Sequence, residues 1–286
     1  MWVSDKWQDY ELLDCSDGER LERWGKYYLI RPDPQAVWST SRRDRHWDRP
    51  DARYTRSATG GGSWNRNTLP EMWTLRYGSL RFNVKPMNFK HTGLFPEQAA
   101  NWDFMSEKIR SSRRQVNVLN LFAYTGAASC ACAAAGASVC HVDAAKGMVS
   151  WARDNAKLNG LGEAPIRWIV DDVVRFVERE ARRGRKYDAV VMDPPSYGRG
   201  PSGEVWKIEQ SLWQLVCSCM DVLGDDPLFF IINSYSTGLA PSALRYVLHS
   251  AMAAKYGGKT EAEELGLPVS ASGLSLPCGA CGRWTK

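Results

Sequence analysis

The chain has 286 residues and a mass of 32.2 kDa, which is enough for one large domain or for one ordinary domain with a small one. Hydrophobic residues make up 44% and charged residues 24%, so a mainly disordered, collagen-like or coiled-coil chain is excluded. The formal net charge of +5 permits a polyanionic partner without requiring one.

The start of the chain and its cysteines predict a cytoplasmic protein. Residues 1–6 (MWVSDK) lack the basic start and apolar stretch of a signal peptide, and no apolar run is long enough to span a bilayer. Eight cysteines without such a signal indicate reduced thiols, and most of them lie in apolar runs. We therefore expect buried free thiols and no membrane partner.

Residues 1–88 predict a small, mostly antiparallel β domain. Short aromatic and β-branched runs at residues 26–30 and 80–84 lie between turn signals, namely Arg-Pro-Asp-Pro at 31–34 and three glycines at 60–62. The composition changes near residue 90, and we place the second domain at residues 89–286.

Arginines and aromatic residues are interleaved in residues 38–76, and two interpretations of this tract stay open. Guanidinium groups bind phosphates and aromatic faces stack on unpaired bases, so the tract could bind RNA. Alternatively, it is a solvated face with its own core tryptophans, because Asp44, Asp48 and Asp51 dilute the positive charge. The residues concerned are Arg42, Arg43, Arg45, Arg49, Arg53, Arg56, Arg66, Trp38, Trp47, Tyr54, Trp64 and Trp73.

Residues 89–286 predict an α/β domain with a doubly wound parallel sheet. Segments long enough for crossover helices separate five apolar, strand-like runs. These runs are residues 116–122, 138–142, 166–170, 187–192 and 228–232. Residues 266–269 and 274–277 flank a turn at 270–273 and predict an antiparallel hairpin at one edge of the sheet. The sheet is thus expected to have seven strands.

The first of these strands ends in a glycine-containing turn. Residues 120–126 (NLFAYTG) are followed by Ala127-Ala128-Ser129, which start a helix of small residues. Ligands of open α/β sheets bind beyond the carboxyl ends of the strands, and a glycine there lets the backbone approach a ligand closely. This predicts a cofactor loop, although such a turn with one glycine occurs in many α/β proteins.

Acidic residues follow the next three strands. Asp143 comes 17 residues after Gly126, where its carboxylate could accept both hydroxyls of a ribose. Asp171 and Asp172 follow the third strand, where an acidic side chain could accept from an adenine amino group, and Asp193 follows the fourth. Each acid alone could be a solvated loop residue. Together, at successive strand ends, they predict a ligand site.

Two prolines follow Asp193. Pro194 and Pro195 fix their own φ angles and bias the residue before them to an extended conformation. We expect Asp193 and the following carbonyls to be rigid acceptors, which suits a reaction that depends on geometry.

These motifs together resemble those of the class I S-adenosylmethionine-dependent methyltransferases, and more closely those of the bacterial family related to the 23S rRNA large-subunit methyltransferases. The resemblance covers nearly the whole chain and implies a Rossmann-like sheet, S-adenosylmethionine as cofactor and RNA, above all ribosomal RNA, as partner. It is carried by residues 91–98 (HTGLFPEQ), 119–126 (LNLFAYTG), 142–146 (VDAAK), 169–172 (IVDD), 192–200 (MDPPSYGRG) and 276–279 (LPCG).

The resemblance also implies roles for single residues on the cofactor side. The loop at 122–126 would line the methionine end of the cofactor, Asp143 would hold the ribose, and Asp172, with Asp171 beside it, would meet the adenine. The complete cofactor-side set is Phe95, Gln98, Asn120, Phe122, Ala123, Tyr124, Thr125, Gly126, Asp143, Ala144, Asp171, Asp172 and Val173.

On the acceptor side, residues 193–196 would face the target base. Methyl transfer is an in-line displacement, and holding both reactants at attack distance supplies about 7–11 kcal/mol of the barrier. The resemblance gives Asp193, Pro194 and Pro195 the catalytic role. The Asp193 carboxylate or the Pro194 carbonyl would accept the N–H of the base and so align it for attack. The expected substrate-side residues are Ser196, Tyr197, Lys207 and Asn233.

Two of these substrate-side assignments stay open. Related motifs with an aromatic residue directly after the prolines stack the target base, but here Ser196 intervenes before Tyr197. Lys207 lies in the long stretch after the fourth strand, where it could contact a phosphate or be a solvated charge.

The absence of a cysteine at two positions predicts the modified atom. Methylation of carbon 5 of cytosine requires a cysteine thiolate, and relatives with this activity carry it after the fourth or fifth strand. Here these positions hold Pro194-Pro195 and residues 233–235 (NSY). We therefore expect methylation of a nitrogen, with guanine as the candidate base, while the target nucleotide and the oligomeric state stay open.

Three other interpretations are weaker. Cys278 and Cys281 form a single Cys-x-x-Cys with only two thiolates, so we expect no metal site. A nicotinamide-dependent oxidoreductase would need the Gly-x-Gly-x-x-Gly spacing that the loop ending at Gly126 lacks. An inactive rRNA-binding module has no physical need for the acids and the Asp-Pro-Pro segment.

Overall fold

The computed structural model describes residues 1–57, 61–66, 68–199, 205–236 and 238–286, which form two compact units. Unit 1 comprises Met1–Ala100 and Leu265–Cys278, and unit 2 comprises Asn101–Glu264 and Gly279–Lys286. The architecture confirms the predicted α/β class with a β-rich N-terminal region. The functional division between residues 88 and 89 stays a prediction.

The N-terminal part of unit 1 consists mainly of short strands. They are β1 (Trp2–Val3), β2 (Tyr10–Ser16), β3 (Glu19–Trp24), β4 (Tyr27–Pro32), β5 (Ala52–Arg56), β6 (Gly62–Arg66), β7 (Trp73–Tyr77) and β8 (Leu80–Val84), with short 3-10 helices at Arg45–Trp47 and Pro96–Gln98. The main sheet has the order β2-β3-β4-β5-β6, in which β4 and β5 pair in parallel and the other neighbours pair antiparallel. β7 and β8 form a separate hairpin.

Unit 2 alternates helices and strands. In chain order its elements are α1 (Ala99–Ser111, which begins in unit 1), β9 (Asn117–Leu121), α2 (Ala127–Ala134), β10 (Ser138–Asp143), α3 (Lys146–Leu158), β11 (Ile166–Val170), α4 (Val173–Arg182), β12 (Ala189–Met192), β13 (Tyr197–Arg199), β14 (Val205–Lys207), α5 (Ile208–Met220), β15 (Phe229–Ser234) and α6 (Pro241–Tyr256). Two long strands follow, β16 (Lys259–Pro268) and β17 (Ser275–Thr285).

The sheet of unit 2 has the strand order β11-β10-β9-β12-β15-β17, with β16 beyond β17. The pairs from β11 to β15 are parallel, and β17 is antiparallel to β15. Parallel strands are covered on both faces and therefore appear in a sequence as continuous apolar runs. Every residue of β12 and β15 is buried, and all five predicted strands are confirmed to within two residues.

Helices cover both faces of this sheet, as a doubly wound fold requires. Leu121, Met192 and Ile232, on three neighbouring strands, share one apolar cluster with Phe176 of α4 and Leu215 of α5. α2 and α3 contact β10, and α2 also contacts β9 and α3 also contacts β11. Helices α2 and α3 thus form one layer, and α4, α5 and α6 form the other, with α5 in contact with both α4 and α6.

The predicted edge hairpin is confirmed and is longer than expected. β16 and β17 have 10 and 11 residues, and the hairpin tip belongs to unit 1. There, β1 pairs with Leu265 and Gly266, which adds an eighth strand to the seven predicted. The Ser270 N–H donates to the Leu12 carbonyl at 3.0 Å, so the hairpin tip is also bonded to β2.

Some residues of the arginine- and aromatic-rich tract at 38–76 are bonded within unit 1, and others are exposed. Trp47 is buried and donates from Nε1 to Asp14 at 2.9 Å, while Arg42 and Arg53 both form ion pairs with Glu19. These members belong to the fold of unit 1. Four arginines of the tract are exposed, namely Arg43, Arg45, Arg49 and Arg56. The side chain of Arg66 lies outside the described residues.

A buried ion cluster lies in the main sheet of unit 1. The Glu22 carboxylate is fully buried and accepts from Arg31 Nε and Nη2 at 2.6 and 2.7 Å and from the Tyr10 hydroxyl at 2.8 Å. Arg20 approaches the same carboxylate at 3.3 Å. Burial disfavours the charge, but the guanidinium groups of Arg20 and Arg31 outweigh it and lower the pKa of Glu22 to about 2.

Replacing Glu22 by Gln leaves Arg31 buried without its counter-ion, so we expect the free energy of unfolding to fall by about 3–5 kcal/mol at pH 7. The folded-state pKa lies below the ordinary value of 4.5, so the stabilisation is present above pH 4.5 and is lost as the pH falls towards 2. Urea unfolding followed by tryptophan fluorescence measures both effects.

The matched control is Glu11→Gln on β2, which removes a part-exposed pair with Arg23 at 3.2 Å. We expect this variant to lose less than about 1 kcal/mol. Equal losses in the two variants would contradict the special position of Glu22.

Candidate active site

The loop after β9 has an unusual backbone. Phe122, Tyr124 and Gly126 have φ angles of 54°, 51° and 82°, in the left-handed region that non-glycine residues rarely adopt. The Ala123 N–H donates to the Val142 carbonyl at 3.0 Å, and the Tyr124 N–H donates to Asp143 Oδ2 at 2.8 Å. The end of β10 therefore holds the 122–126 loop in a conformation that the residues alone would not favour.

Helix α3 supports the same loop from the other side. A Cβ atom on Gly126 would lie 2.6 Å from the Cβ of Ala152, so the glycine permits close packing of the loop on α3. Asn155 is fully buried and donates from Nδ2 to the Thr125 carbonyl at 2.9 Å. Sequence analysis missed Ala152 and Asn155, and the only available signal was a polar residue on the apolar face of α3.

Asn120, a predicted cofactor residue, lies in a buried polar network beneath α2. Its Nδ2 donates to Ser129 Oγ at 2.9 Å, and Ser129 Oγ lies 3.0 Å from His141 Nδ1. All three side chains are buried, and burial lowers the pKa of His141 to about 3, so the imidazole is neutral at pH 7. The network joins β9, α2 and β10 and thereby fixes the base of the loop.

Asp143 lies at the end of β10 and faces the loop. Its Oδ2 accepts from the Tyr124 N–H and its Oδ1 from the Ala145 N–H, each at 2.8 Å. Burial raises the pKa of Asp143, and the two backbone hydrogen bonds oppose this shift. A carboxylate has about four acceptor positions, so two of them are left for the hydroxyls of a ligand. Ala144, the next predicted residue, is exposed.

Asp171 and Asp172 have structural partners that the sequence did not indicate. Asp171 Oδ2 forms an ion pair with Arg179, and its Oδ1 accepts from the Asp172 N–H at 2.9 Å. Asp172 caps the N-terminus of α4, because its Oδ1 accepts from the Arg175 N–H at 3.0 Å. Val173, the first residue of α4, is buried. These contacts order the end of β11 beside Asp143, whose carbonyl accepts from the Asp171 N–H at 3.2 Å.

The segment after β12 is fixed by hydrogen bonds to β14 and α5. The Pro195 carbonyl accepts from Trp206 Nε1 at 2.6 Å, and the Ser196 carbonyl accepts from the Ile208 N–H at 3.1 Å. Pro194 is buried, whereas Pro195 is exposed. The carbonyl groups of both residues that follow Pro194 are thus already bonded within the protein.

One ring contact joins the segment at residues 193–196, hereafter the proline corner, to the 122–126 loop. Trp206, which holds the Pro195 carbonyl, packs against Phe122 with ring centroids 5.5 Å apart. The Asp193 N–H also points to the Leu121 carbonyl at 3.4 Å. The structure therefore brings the 122–126 loop, Asp143 and Asp193 to the same edge of the sheet.

Three of the four predicted substrate residues are exposed, and the fourth, Asn233, is buried. Ser196 and Tyr197 are exposed, with Tyr197 opposite the exposed Lys207 in the β13–β14 hairpin. Asn233 is only 2% exposed, and its Oδ1 accepts from Asn101 Nδ2 at 2.9 Å. Asn233 thus serves to bond β15 to α1. Phe95 and Gln98 lie in unit 1, where the Gln98 N–H donates to the Phe95 carbonyl at 3.1 Å.

A cysteine that the sequence did not place near the strand ends lies opposite Asn233. Cys281 of β17 is its partner in the antiparallel register with β15. The thiol is fully buried, and burial raises its pKa to about 11. All eight cysteines are free thiols. Among the described residues, no group of three or more His, Cys, Asp or Glu side chains could hold a metal ion.

Comparison with known proteins decides the family. Residues 31–220, more than half of the chain, match the family model of the S-adenosylmethionine-dependent methyltransferases. The chain belongs to this family. This methyltransferase is 36% identical to a solved S-adenosylmethionine-dependent methyltransferase from Agrobacterium tumefaciens, with a TM-score of 0.93 over 99% of this chain and 92% of that one.

Curated relatives match this methyltransferase over a shorter stretch. It is 32% identical over 166 residues to the ribosomal RNA large subunit methyltransferase K/L of Shewanella frigidimarina. The aligned stretch covers 57% of this chain and 22% of that protein. It is 27% identical over 156 residues to the ribosomal RNA large subunit methyltransferase K of Neisseria meningitidis serogroup B, over 54% of this chain and 43% of that protein. The matches thus span less than half the length of these relatives. No helix in the described part of the chain is both long and apolar enough to cross a membrane.

Gly126→Ala tests the packing of the loop in this methyltransferase. The left-handed φ of 82° costs a non-glycine residue about 1–2 kcal/mol, and the clash with Ala152 adds about 1–3 kcal/mol of overpacking. The control, Gly136→Ala, has a φ of 102° but no heavy atom within 4 Å of its Cβ. We expect urea unfolding to show a larger loss for Gly126→Ala, and equal losses would contradict the close contact with α3.

Proposed function

We propose that this protein transfers the methyl group of S-adenosylmethionine to a nitrogen of a nucleobase in RNA, with large-subunit ribosomal RNA as substrate. The observation that supports this most directly is that Asp143 and Asp193 lie at the carboxyl ends of the two strands that flank β9. The 122–126 loop lies between them.

The residues present fit the proposed cofactor. Asp143 has two acceptor positions beyond those used by Tyr124 and Ala145, which is what two vicinal ribose hydroxyls need. The left-handed turn at Phe122 and Tyr124 and the glycine at 126 expose backbone at the strand end. S-adenosylmethionine, when bound, supplies a methyl group on a sulfonium. We assign Asp143 to the ribose and the 122–126 loop to the methionine end.

Asp193 and the proline corner are the proposed acceptor side. The hydrogen bond from Trp206 to the Pro195 carbonyl fixes the backbone that follows Asp193. We assign the Asp193 carboxylate or the Pro194 carbonyl to accept the N–H of the base, which would direct the nitrogen lone pair at the methyl group. Alignment of this kind accounts for about 7–11 kcal/mol of a displacement barrier.

The chemistry of Cys281 supports nitrogen over carbon 5 of cytosine as the methylated atom. A cysteine must be a thiolate to add to the ring. Cys281 is fully buried with a pKa raised to about 11, so it is a neutral thiol at pH 7. Its Sγ contacts Asn101 Oδ1 at 3.4 Å inside the protein.

RNA as substrate rests on the named relatives and on the charge of the chain. Both curated relatives are named as large-subunit ribosomal RNA methyltransferases. The net charge of +5 and the exposed arginines of unit 1 are compatible with a polyanion.

Incubation with labelled S-adenosylmethionine and unmodified large-subunit ribosomal RNA tests the proposal. We expect label in RNA, and nucleoside mass spectrometry of a digest to show a nitrogen-methylated base. Label in 5-methylcytosine would contradict the choice of atom, and the absence of label in RNA, both free and in ribosomal subunits, would contradict the choice of substrate.

Asp143→Ala should weaken cofactor binding. Loss of hydrogen bonds to a charged acceptor costs about 1.5–3 kcal/mol, which corresponds to a roughly 10- to 150-fold higher Kd for S-adenosylmethionine. Isothermal titration calorimetry measures this, with Asp154→Ala, an exposed carboxylate on α3, as the control. An unchanged Kd for Asp143→Ala would contradict the ribose assignment, and tight binding of NAD by the parent would favour an oxidoreductase.

Asp193→Ala should reduce turnover and leave cofactor affinity largely intact. Removing one preorganised polar group at a reacting centre lowers kcat by about 10²- to 10³-fold. Single-turnover methylation of RNA measures the chemical step, and calorimetry measures the cofactor Kd in the same variant. A weaker cofactor Kd with unchanged kcat would move Asp193 from the acceptor side to the cofactor side.

A further inference from the structure

A cleft in unit 1 is not explained by the proposed cofactor or acceptor positions. It has a volume of about 460 Å³. Its lining comes from β5, from the residue before β6 and from the segment after β8. This volume is within the range of small-molecule sites, about 300–1,000 Å³. The lining residues are Tyr54, Arg56, Gly61, Phe89, Lys90 and His91.

The cleft presents an aromatic ring to solvent on a fixed backbone. Phe89 is 60% exposed, which leaves a large apolar side chain in contact with water. Trp64 Nε1 donates to the Phe89 carbonyl at 3.0 Å and to the Met87 carbonyl at 2.9 Å, so the segment that carries the ring is anchored. An exposed aromatic ring on an ordered backbone is a surface on which a base can stack.

The same cleft carries cationic side chains. Arg56 is exposed, and Lys90 donates from Nζ to the Pro32 carbonyl at 3.0 Å. Burial, followed by the charges of Arg20 and Arg31, lowers the pKa of Lys90 to about 8; Asp33 opposes this shift, and Arg56 makes a smaller contribution in the same direction as Arg20 and Arg31. Arg56 and Lys90 line the same cleft, so both side chains would attract an anion bound there.

His91 adds a neutral ring to the lining. Burial and then the charge of Arg31 lower its pKa to about 4, so it carries no charge at pH 7. Its ring lies 5.2 Å from that of Phe95, between centroids. The cleft thus combines aromatic surface with a cationic edge, which is the combination that a nucleotide needs.

We propose that this cleft binds one nucleotide of single-stranded RNA, with the base stacked on Phe89 and a phosphate between Arg56 and Lys90. The inference rests on the proposed function and deepens it, because it names where unit 1 holds the RNA substrate. The alternative source of the same chemistry is a free nucleotide, which would bind without the rest of the strand.

Fluorescence anisotropy with a labelled eight-residue oligoribonucleotide tests the cleft in the full-length protein. Phe89→Ala removes one base–aromatic stack and should weaken oligonucleotide binding about 5- to 150-fold, whereas Phe89→Trp should retain parental affinity. Arg56→Gln should lower the slope of log K against log salt by about 0.7, the value for one phosphate contact on a single strand, whereas Phe89→Ala should leave the slope unchanged.

Two exposed residues of α6 provide matched controls. Tyr246→Ala removes a ring that is 77% exposed, and Arg245→Gln removes an exposed guanidinium next to it. Both should bind the oligonucleotide like the parent. The Kd for S-adenosylmethionine, measured on every variant, shows that each has folded.

Three further ligands separate the possible outcomes. An abasic oligonucleotide and a duplex RNA should be bound equally by the parent and Phe89→Ala, since neither offers a free base. AMP should compete with the oligonucleotide only at far higher concentration, and AMP binding as tight as that of the strand would overturn the proposal in favour of a free nucleotide.

The cleft proposal fails separately from the proposed function. If the parent methylates RNA while Phe89→Ala and Arg56→Gln bind the oligonucleotide like the α6 controls, the cleft assignment is overturned and the proposed function stands. If the parent binds the oligonucleotide through Phe89 and Arg56 but methylates no RNA, the cleft assignment stands and the proposed function fails.

Discussion

The parallel pairing of β9 with β10 on one side and with β12 on the other is the constraint on which the candidate active site depends. Leu121 lies opposite both Val142 and Met192, so the chain leaves all three strands at the same level of the sheet. Asp143, the last residue of β10, and Asp193, the first residue after β12, are thereby placed beside the 122–126 loop by backbone hydrogen bonds. A slip of one residue between β9 and β10 would turn either Asn120 or His141 away from Ser129 and leave buried polar groups without partners.

The conformation of the 122–126 loop determines the shape of the candidate site at the ends of these strands. Its backbone is held by hydrogen bonds from Ala123 to the Val142 carbonyl, from Tyr124 to the Asp143 carboxylate and from Asn155 to the Thr125 carbonyl. Asp143 therefore has two tasks in the proposed function, because the carboxylate that would receive a ribose also anchors the Tyr124 N–H. In the proposed function, cofactor affinity and loop conformation are therefore coupled through one side chain.

The sequence was sufficient to predict features that depend on residues close together in the chain. Buried parallel strands are apolar along their whole length, and acids at their ends were visible as breaks in that pattern. Contacts that depend on distant segments could not be predicted in this way. Cys281 meets Asn233 only because β17 returns antiparallel to β15, and Arg42 and Arg53 turn inward only because Glu19 on β3 faces them. The helix-capping role of Asp172 was hidden because the same residue type also suits a ligand site.

The hairpin tip formed by β16 and β17 sets the order in which the chain can mature during translation. Unit 1 contains residues from Met1–Ala100 and also Leu265–Cys278, and the tip bonds to β1 and β2. A ribosome releases the N-terminal segment first. The β1 edge therefore stays unpaired until Leu265 and Gly266 have also been made, so unit 1 cannot be completed while only its N-terminal segment has left the ribosome.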